Sequence, residues 1–113
     1  MDHTHWMTLA IEQARLSIAQ GQSPFGAVVV RKDQLVAAGH NEVWHRCDPT
    51  AHAETVTIQK AAAAIKTIDL SGCVMYSTSR PCQDCERAAA GARIARMYVG
   101  AEAADAGAPR QSP

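Results

Sequence analysis

No stretch of this chain comes near the roughly 20 consecutive apolar residues a membrane-crossing helix needs. Its opening residues include Asp2, His3 and His5 where a secretory leader would carry basic residues and then an apolar run. The expectation is therefore a soluble, cytoplasmic protein with no membrane partner. Net charge is missing as well: 11 Lys+Arg stand against 11 Asp+Glu, so the overall charge makes no strong claim on nucleic acid or an acidic membrane. With only four cysteines in 113 residues, a disulfide framework is excluded. Aromatic residues make up 4% of the chain, and Phe25 is the one phenylalanine. Core packing and ligand contact explain Phe25 equally well at this stage.

What is present is enough apolar sequence, 47% of residues, for one globular core and no second domain. Met7, Ile11, Ala14 and Ile18 recur at helical spacing, with Asp2 or Thr4 placed to cap the start and Gly21 to end the helix. Two short strands follow, Phe25 to Val30 and Leu35 to Ala38, joined tightly through Arg31-Lys32-Asp33-Gln34 and so antiparallel. Asn41 to Pro49 reads as a loop long enough to carry function. A second helix begins after Pro49 and carries Ile58, Ala61, Ala62 and Ile65 on one face. Cys73 to Ser77 reads as a third strand, Gln83 to Ala92 as a third helix and Arg96 to Val99 as a fourth strand. This alternation predicts an α/β fold with right-handed parallel crossovers. Residues 1–100 form the predicted domain, and 101–113, rich in small residues with Gly and Pro, an irregular tail.

The chemistry concentrates in four residues. Cys82 and Cys85 form a C-x-x-C pair which, in a reducing compartment, signals metal or redox chemistry. A catalytic zinc takes three protein ligands and leaves one position open, and His52, Cys82 and Cys85 can supply such a set. Residues two apart on a helix diverge by about 200°, so His52 and Glu54 can share a site only beyond the helix N-terminus. Pro49-Thr50 marks such a start, and Pro81 marks another just before Cys82. Parallel crossovers bring both helix N-termini to the same edge of the sheet, where ligands bind in open α/β sheets. A closed, structural zinc site would need a fourth ligand, which His40 or His45 could provide. Otherwise His3, His5, His40 and His45 read as solvated or structural, Cys47 as a bystander thiol, Cys73 as a buried thiol, and Trp44 as a loop anchor at the rim of the site.

His52-Ala53-Glu54 followed by Pro81-Cys82-Gln83-Asp84-Cys85 resembles the zinc-dependent cytidine and deoxycytidylate deaminase superfamily. Pro24 to Val28, Asn41 and Asp48 to Glu54 are similar to the branch holding guanine deaminases and tRNA adenosine deaminases. The resemblance spans about Met7 to Gly100. It implies a three-layer α/β/α cytidine-deaminase-like fold with a mixed sheet, here shortened at the C-terminus, and one Zn2+ on His52, Cys82 and Cys85. It implies a hydrolytic deaminase in which zinc-bound hydroxide attacks the amino-bearing carbon while Glu54 shuttles the proton. Asn41, Phe25 and the backbone around Ala53 would contact the substrate.

The sequence departs from the family in placing Arg80 before Pro81-Cys82 and Asp84, Glu86 and Arg87 within and after the motif. These residues change the polarity beside the metal and bear on substrate choice. A small nucleobase or nucleoside is the expected substrate, guanine or a related aminopurine first. Adenosine in tRNA, or cytosine or cytidine, stands as the alternative, and a non-catalytic zinc subunit as the reading of another class. A homodimer is expected, because the fourth strand would otherwise be an open sheet edge and Ala88 to Ala92 offers a small-residue surface.

Overall fold

The order of elements along the chain is α1 (His3–Ala19), β1 (Gly26–Arg31), β2 (Gln34–His40), α2 (Val43–Arg46), α3 (Ala53–Ile65), β3 (Cys73–Ser77), α4 (Gln83–Gly91), β4 (Arg96–Val99) and β5 (Ala104–Gly107). The computed structural model describes residues 2–112. The strands form one sheet in the order β2-β1-β3-β4-β5. β1 is antiparallel to both β2 and β3, β3 and β4 are parallel, and β5 returns antiparallel to β4. The sheet is therefore mixed, as expected, with β2, β3 and β4 running in one direction.

β1 is buried along almost its whole length, as a central strand covered on both faces must be. Its residues alternate between two cores. Val28 and Val30 pack with Tyr76 against Trp6, Met7 and Ala10 of α1. Val29 packs with Met75 and Met97 against Ile58 and Ala61 of α3 and Ala89 of α4. One helix on one face and two on the other give the three-layer architecture. The β1–β2 turn puts Lys32 and Asp33 at φ 51° and 60°, the left-handed pair that a two-residue hairpin requires. Gly26 lets β1 approach α1 closely: a Cβ there would lie 2.2 Å from the Ala10 carbonyl oxygen and 2.5 Å from the Ala14 amide nitrogen.

Three expectations are corrected. The buried stripe of α1 is Trp6, Met7, Ala10, Ala14 and Ser17, so Ile18 is not part of it and stays 59% exposed. Ser17 takes the inward place because its hydroxyl donates to the Ser23 and Asn41 carbonyls, tying α1 to the segment that enters the site. The loop from Asn41 to Pro49 contains the short helix α2, whose N-terminal Val43 amide donates to Asn41 Oδ1 at 3.0 Å. The segment expected to be irregular after residue 100 holds β5. A turn with Gly100 at φ 78° and Ala103 at φ 52° reverses the chain, and β5 then pairs with β4, where Arg96 reaches Asp105 at 3.3 Å. β4 is thus an interior strand and supplies no open edge for a dimer. Within the Ala88 to Ala92 stretch, Ala89 and Ala92 pack on their own sheet, while Gly91 stays exposed and Ala88 and Ala90 are half-buried, so of the two premises of the expected homodimer the open β4 edge falls.

Candidate metal centre and active site

Parallel β2 and β3 deliver α3 and α4 to the same edge of the sheet, and the two helices begin side by side. His52 is the N-cap of α3, with extended dihedrals of φ -69° and ψ 157°. Cys82 is the N-cap of α4, at φ -68° and ψ 170°. Neither makes a side-chain capping hydrogen bond, so both side chains are left to point off the helix ends. Cys85, in the first turn of α4, completes a group whose ligand atoms all lie within 4.8 Å of one another. His52 Nδ1 is 3.6 Å from Cys82 Sγ and 3.4 Å from Cys85 Sγ. Two ligands at ordinary Zn–N and Zn–S lengths on a tetrahedral ion are separated by about 3.5 Å. The donor types and these spacings fit zinc. Among the described residues no fourth side chain joins the group, so His40 and His45 do not close it. The Nδ1 of His40 is instead turned to the Asn41 carbonyl, 2.9 Å away.

The two thiols differ. Cys82 is exposed and Cys85 is buried. Cys85, in the first turn of α4, sits where a helix N-terminus lowers a thiol's pKa. For Cys85 burial wins: without a cation its thiol is pushed up to about 12, against the opposing pull of a Thr55 hydrogen bond. A bound cation reverses that balance, because a coordinating thiol loses its proton.

A cavity of about 410 Å³ opens beside the group and is walled by His52, Cys82, Glu54, Asn41, Phe25 and Arg80, with Ser23, Val43, Pro49 and Ser79 completing it. Glu54, in the first turn of α3, is only 5% exposed. Burial raises its carboxyl above the ordinary carboxylate range, while its own backbone amide and His52 pull the other way. Asn41 is 4% exposed. Its Oδ1 accepts the Val43 amide, which fixes the orientation of the side chain and leaves its NH2 as the group available to the cavity. It serves as turn residue and cavity wall at once. Phe25 belongs to neither core cluster and is 39% exposed, placing it with the cavity. Ala53 is fully buried between His52 and Glu54 and forms no part of the wall.

Trp44 is 75% exposed; its backbone is engaged, the amide donating to Gln22 Oε1 and the carbonyl accepting the Cys47 amide, but the indole faces solvent, so the side chain is no loop anchor. Cys47 is exposed and does not join the ligand group, a bystander. His3 is structural, 2.6 Å from the Tyr76 hydroxyl. The sequence reading missed Ser23, Ser79 and Val43 in the cavity wall and Thr55 beside Cys85. Ser79 could have been inferred from its place two residues before Pro81; hydroxyl residues elsewhere carry no such signal.

Residues 1–101 match the cytidine and deoxycytidylate deaminase zinc-binding region. The chain is 33% identical over 101 residues to the tRNA-specific adenosine deaminase of Aquifex aeolicus, covering 89% of this chain and 67% of that protein. It is 38% identical over 100 residues to the guanine deaminase of Bacillus subtilis, covering 88% and 62%. The crystal structure of the Bacillus subtilis guanine deaminase superposes with a TM-score of 0.85 at 34% identity, over 89% of this chain and 65% of that one. A structure from a study of tRNA A34 deaminases superposes equally well, with a TM-score of 0.85 at 36% identity over 88% of this chain and 76% of that one. The chain thus spans roughly two thirds of the length of these relatives. With its fold, its His-Cys-Cys group and its buried glutamate in agreement with that match, the chain belongs to the cytidine and deoxycytidylate deaminase family.

Proposed function

We propose that the chain catalyses hydrolytic removal of an exocyclic amine from a nucleobase, with a free aminopurine, guanine first, as substrate. The observation that carries this reading is Glu54: a carboxyl of raised pKa, nearly buried, in the wall of a cavity shared with His52 and Cys82. Zinc held by His52, Cys82 and Cys85 would act as a Lewis acid that brings the pKa of a water towards about 7. Glu54 would accept one proton of the attacking water and pass it to the ring nitrogen, then take the remaining proton from the hydroxyl now on the ring carbon and deliver it to the departing amine, so that water is consumed and ammonia and a carbonyl are left. Its burial, which raises its carboxyl pKa, favours a group that can hold a proton between steps. The Asn41 NH2 donates to an acceptor on the ring and Phe25 covers an apolar face of the base.

The cavity volume lies in the range of small-molecule sites and accommodates a purine with room to spare. Balanced charge and 38% identity to a guanine deaminase favour the free base. Adenosine in tRNA is the second reading, favoured by several tRNA-specific relatives at similar identity. Ammonia release from the purified zinc-loaded protein, assayed on guanine, adenine, cytosine, their nucleosides and tRNA, discriminates between them. Turnover of guanine alone supports the first reading. Turnover of tRNA with binding that weakens steeply in salt replaces it with the second, and no release from any of them leaves a zinc-binding subunit.

A further inference from the structure

Two threonines stand two residues apart on α3 and use their hydroxyls differently. Thr57 Oγ1 donates at 2.7 Å to the carbonyl of Ala53, four residues back, the usual recourse of a helical threonine. Thr55 does not follow it. The carbonyl four residues before Thr55 is that of Ala51, which already accepts the Glu42 amide at 2.9 Å. Thr55 Oγ1 instead lies 3.3 Å from Cys85 Sγ, across the gap between α3 and α4.

The two candidate ligand thiols meet different surroundings. Cys82 is exposed and lines the large cavity, so water can solvate its sulfur. Cys85 is 2% exposed and must find its donors within the protein. A smaller cavity of about 180 Å³, lined also by Thr50 and Asp84, is bordered by Thr55, His52 and Cys85, so the Thr55 hydroxyl and the sulfur share one wall of it. A metal-bound thiolate has no proton and only accepts; the hydroxyl is therefore the donor.

We propose that Thr55 is a positioning residue for the metal centre, its hydroxyl donating a hydrogen bond to the Cys85 thiolate, fixing the sulfur towards the metal and drawing electron density from it. The role rests on the zinc assignment of His52, Cys82 and Cys85. It needs the hydroxyl rather than the bulk of the side chain, so valine, of nearly the same shape, abolishes it and serine preserves it.

The test compares wild type, Thr55→Val and Thr55→Ser as full-length protein. Zinc affinity is read by competition with a chromophoric chelator, the thiolate-to-metal charge-transfer band is read after cobalt substitution, and far-UV circular dichroism checks the fold. Loss of a hydrogen bond to a metal ligand typically weakens metal binding about 10- to 100-fold. Thr55→Val is expected to fall in that range and to shift the cobalt band to longer wavelength, because a thiolate without its donor is a better electron donor. Thr55→Ser is expected to restore both. Equal zinc affinity and an unmoved band in Thr55→Val would overturn the role while leaving the metal site intact, as would a serine variant as impaired as the valine one. Wild-type protein that binds no zinc would overturn the metal assignment and this role together.

Discussion

Arg110 grips Glu86 with three hydrogen bonds: its backbone amide and Nε each donate to Oε2 at 2.9 Å, and Nη2 donates to Oε1 at 3.2 Å. The Glu86 side chain is 7% exposed and that of Arg110 56%, so the pair fastens the chain beyond β5 onto α4, one residue after Cys85. Arg110→Ala removes the two side-chain bonds from a shielded carboxylate. Since the guanidinium is more than half in water, the expected cost is small, read as a slightly lower urea midpoint, with faster proteolytic removal of residues after Gly107. An unchanged midpoint and cleavage rate would mean the clasp contributes nothing.

Glu54→Gln keeps size and polarity but cannot carry a proton between water and leaving amine. Deaminase activity is expected to fall at least about 10²- to 10⁴-fold, with zinc content and thermal midpoint near wild type. Substantial residual turnover would assign proton transfer to another group.

Cys82→Ala and Cys85→Ala are expected to lose stoichiometric zinc and, with it, stability, since metal binding free energy is folding free energy when the unfolded chain has no formed site. Elemental analysis and thermal melts with and without added zinc measure both effects. The melts should separate wild type from the variants only when zinc is present, and a variant that retains full zinc would exclude that cysteine from the ligand set.

Tyr76 is fully buried, stacked on Tyr98 with ring centroids 5.0 Å apart. Burial above all, with Tyr98 and Asp33 adding to it, pushes its hydroxyl up to about 12, whereas an unfolded tyrosine ionises near 10. The folded chain therefore binds this proton more tightly than the unfolded chain does. Its contribution to stability is complete below pH 10 and is lost as pH rises from about 10 towards 12. Denaturant midpoints across that window should decline in wild type and decline less in Tyr76→Phe; parallel curves would remove Tyr76 from the alkaline transition.

The convergence of His52, Cys82 and Cys85 was legible because zinc chemistry demands particular residue types at fixed spacings and these three leave few alternatives, with Pro81 directly before Cys82 marking the start of α4. The central strands were legible because Val28-Val29-Val30 must be buried on both faces. β5 was hidden because Ala104-Asp105-Ala106-Gly107 has little strand preference of its own, and pairing with β4 specifies it. α2, at four residues, is too short for any periodicity. The exposed Ile18 illustrates a different limit. Isoleucine fits the apolar stripe by residue type, yet the helix turns Ser17 inwards because two carbonyls wait there for its hydroxyl. Thr55 was unreadable for the same reason, since a threonine's meaning lies in which acceptor is left to it.

His52 and Cys82 occupy the positions where helices ordinarily place Ser, Thr, Asp or Asn to close their first turns, a substitution that typically costs about 1 kcal/mol per helix. A zinc held by His52, Cys82 and Cys85 would join α3 and α4 at their starts rather than cap each helix separately. Folding would thereby be tied to metal supply: once free zinc exceeds the dissociation constant, each further tenfold rise would add about 1.4 kcal/mol to stability. In a zinc-starved cell the chain would lose its metal and the joint between these two helices in the same event, so that its survival against proteases would follow the zinc available to it.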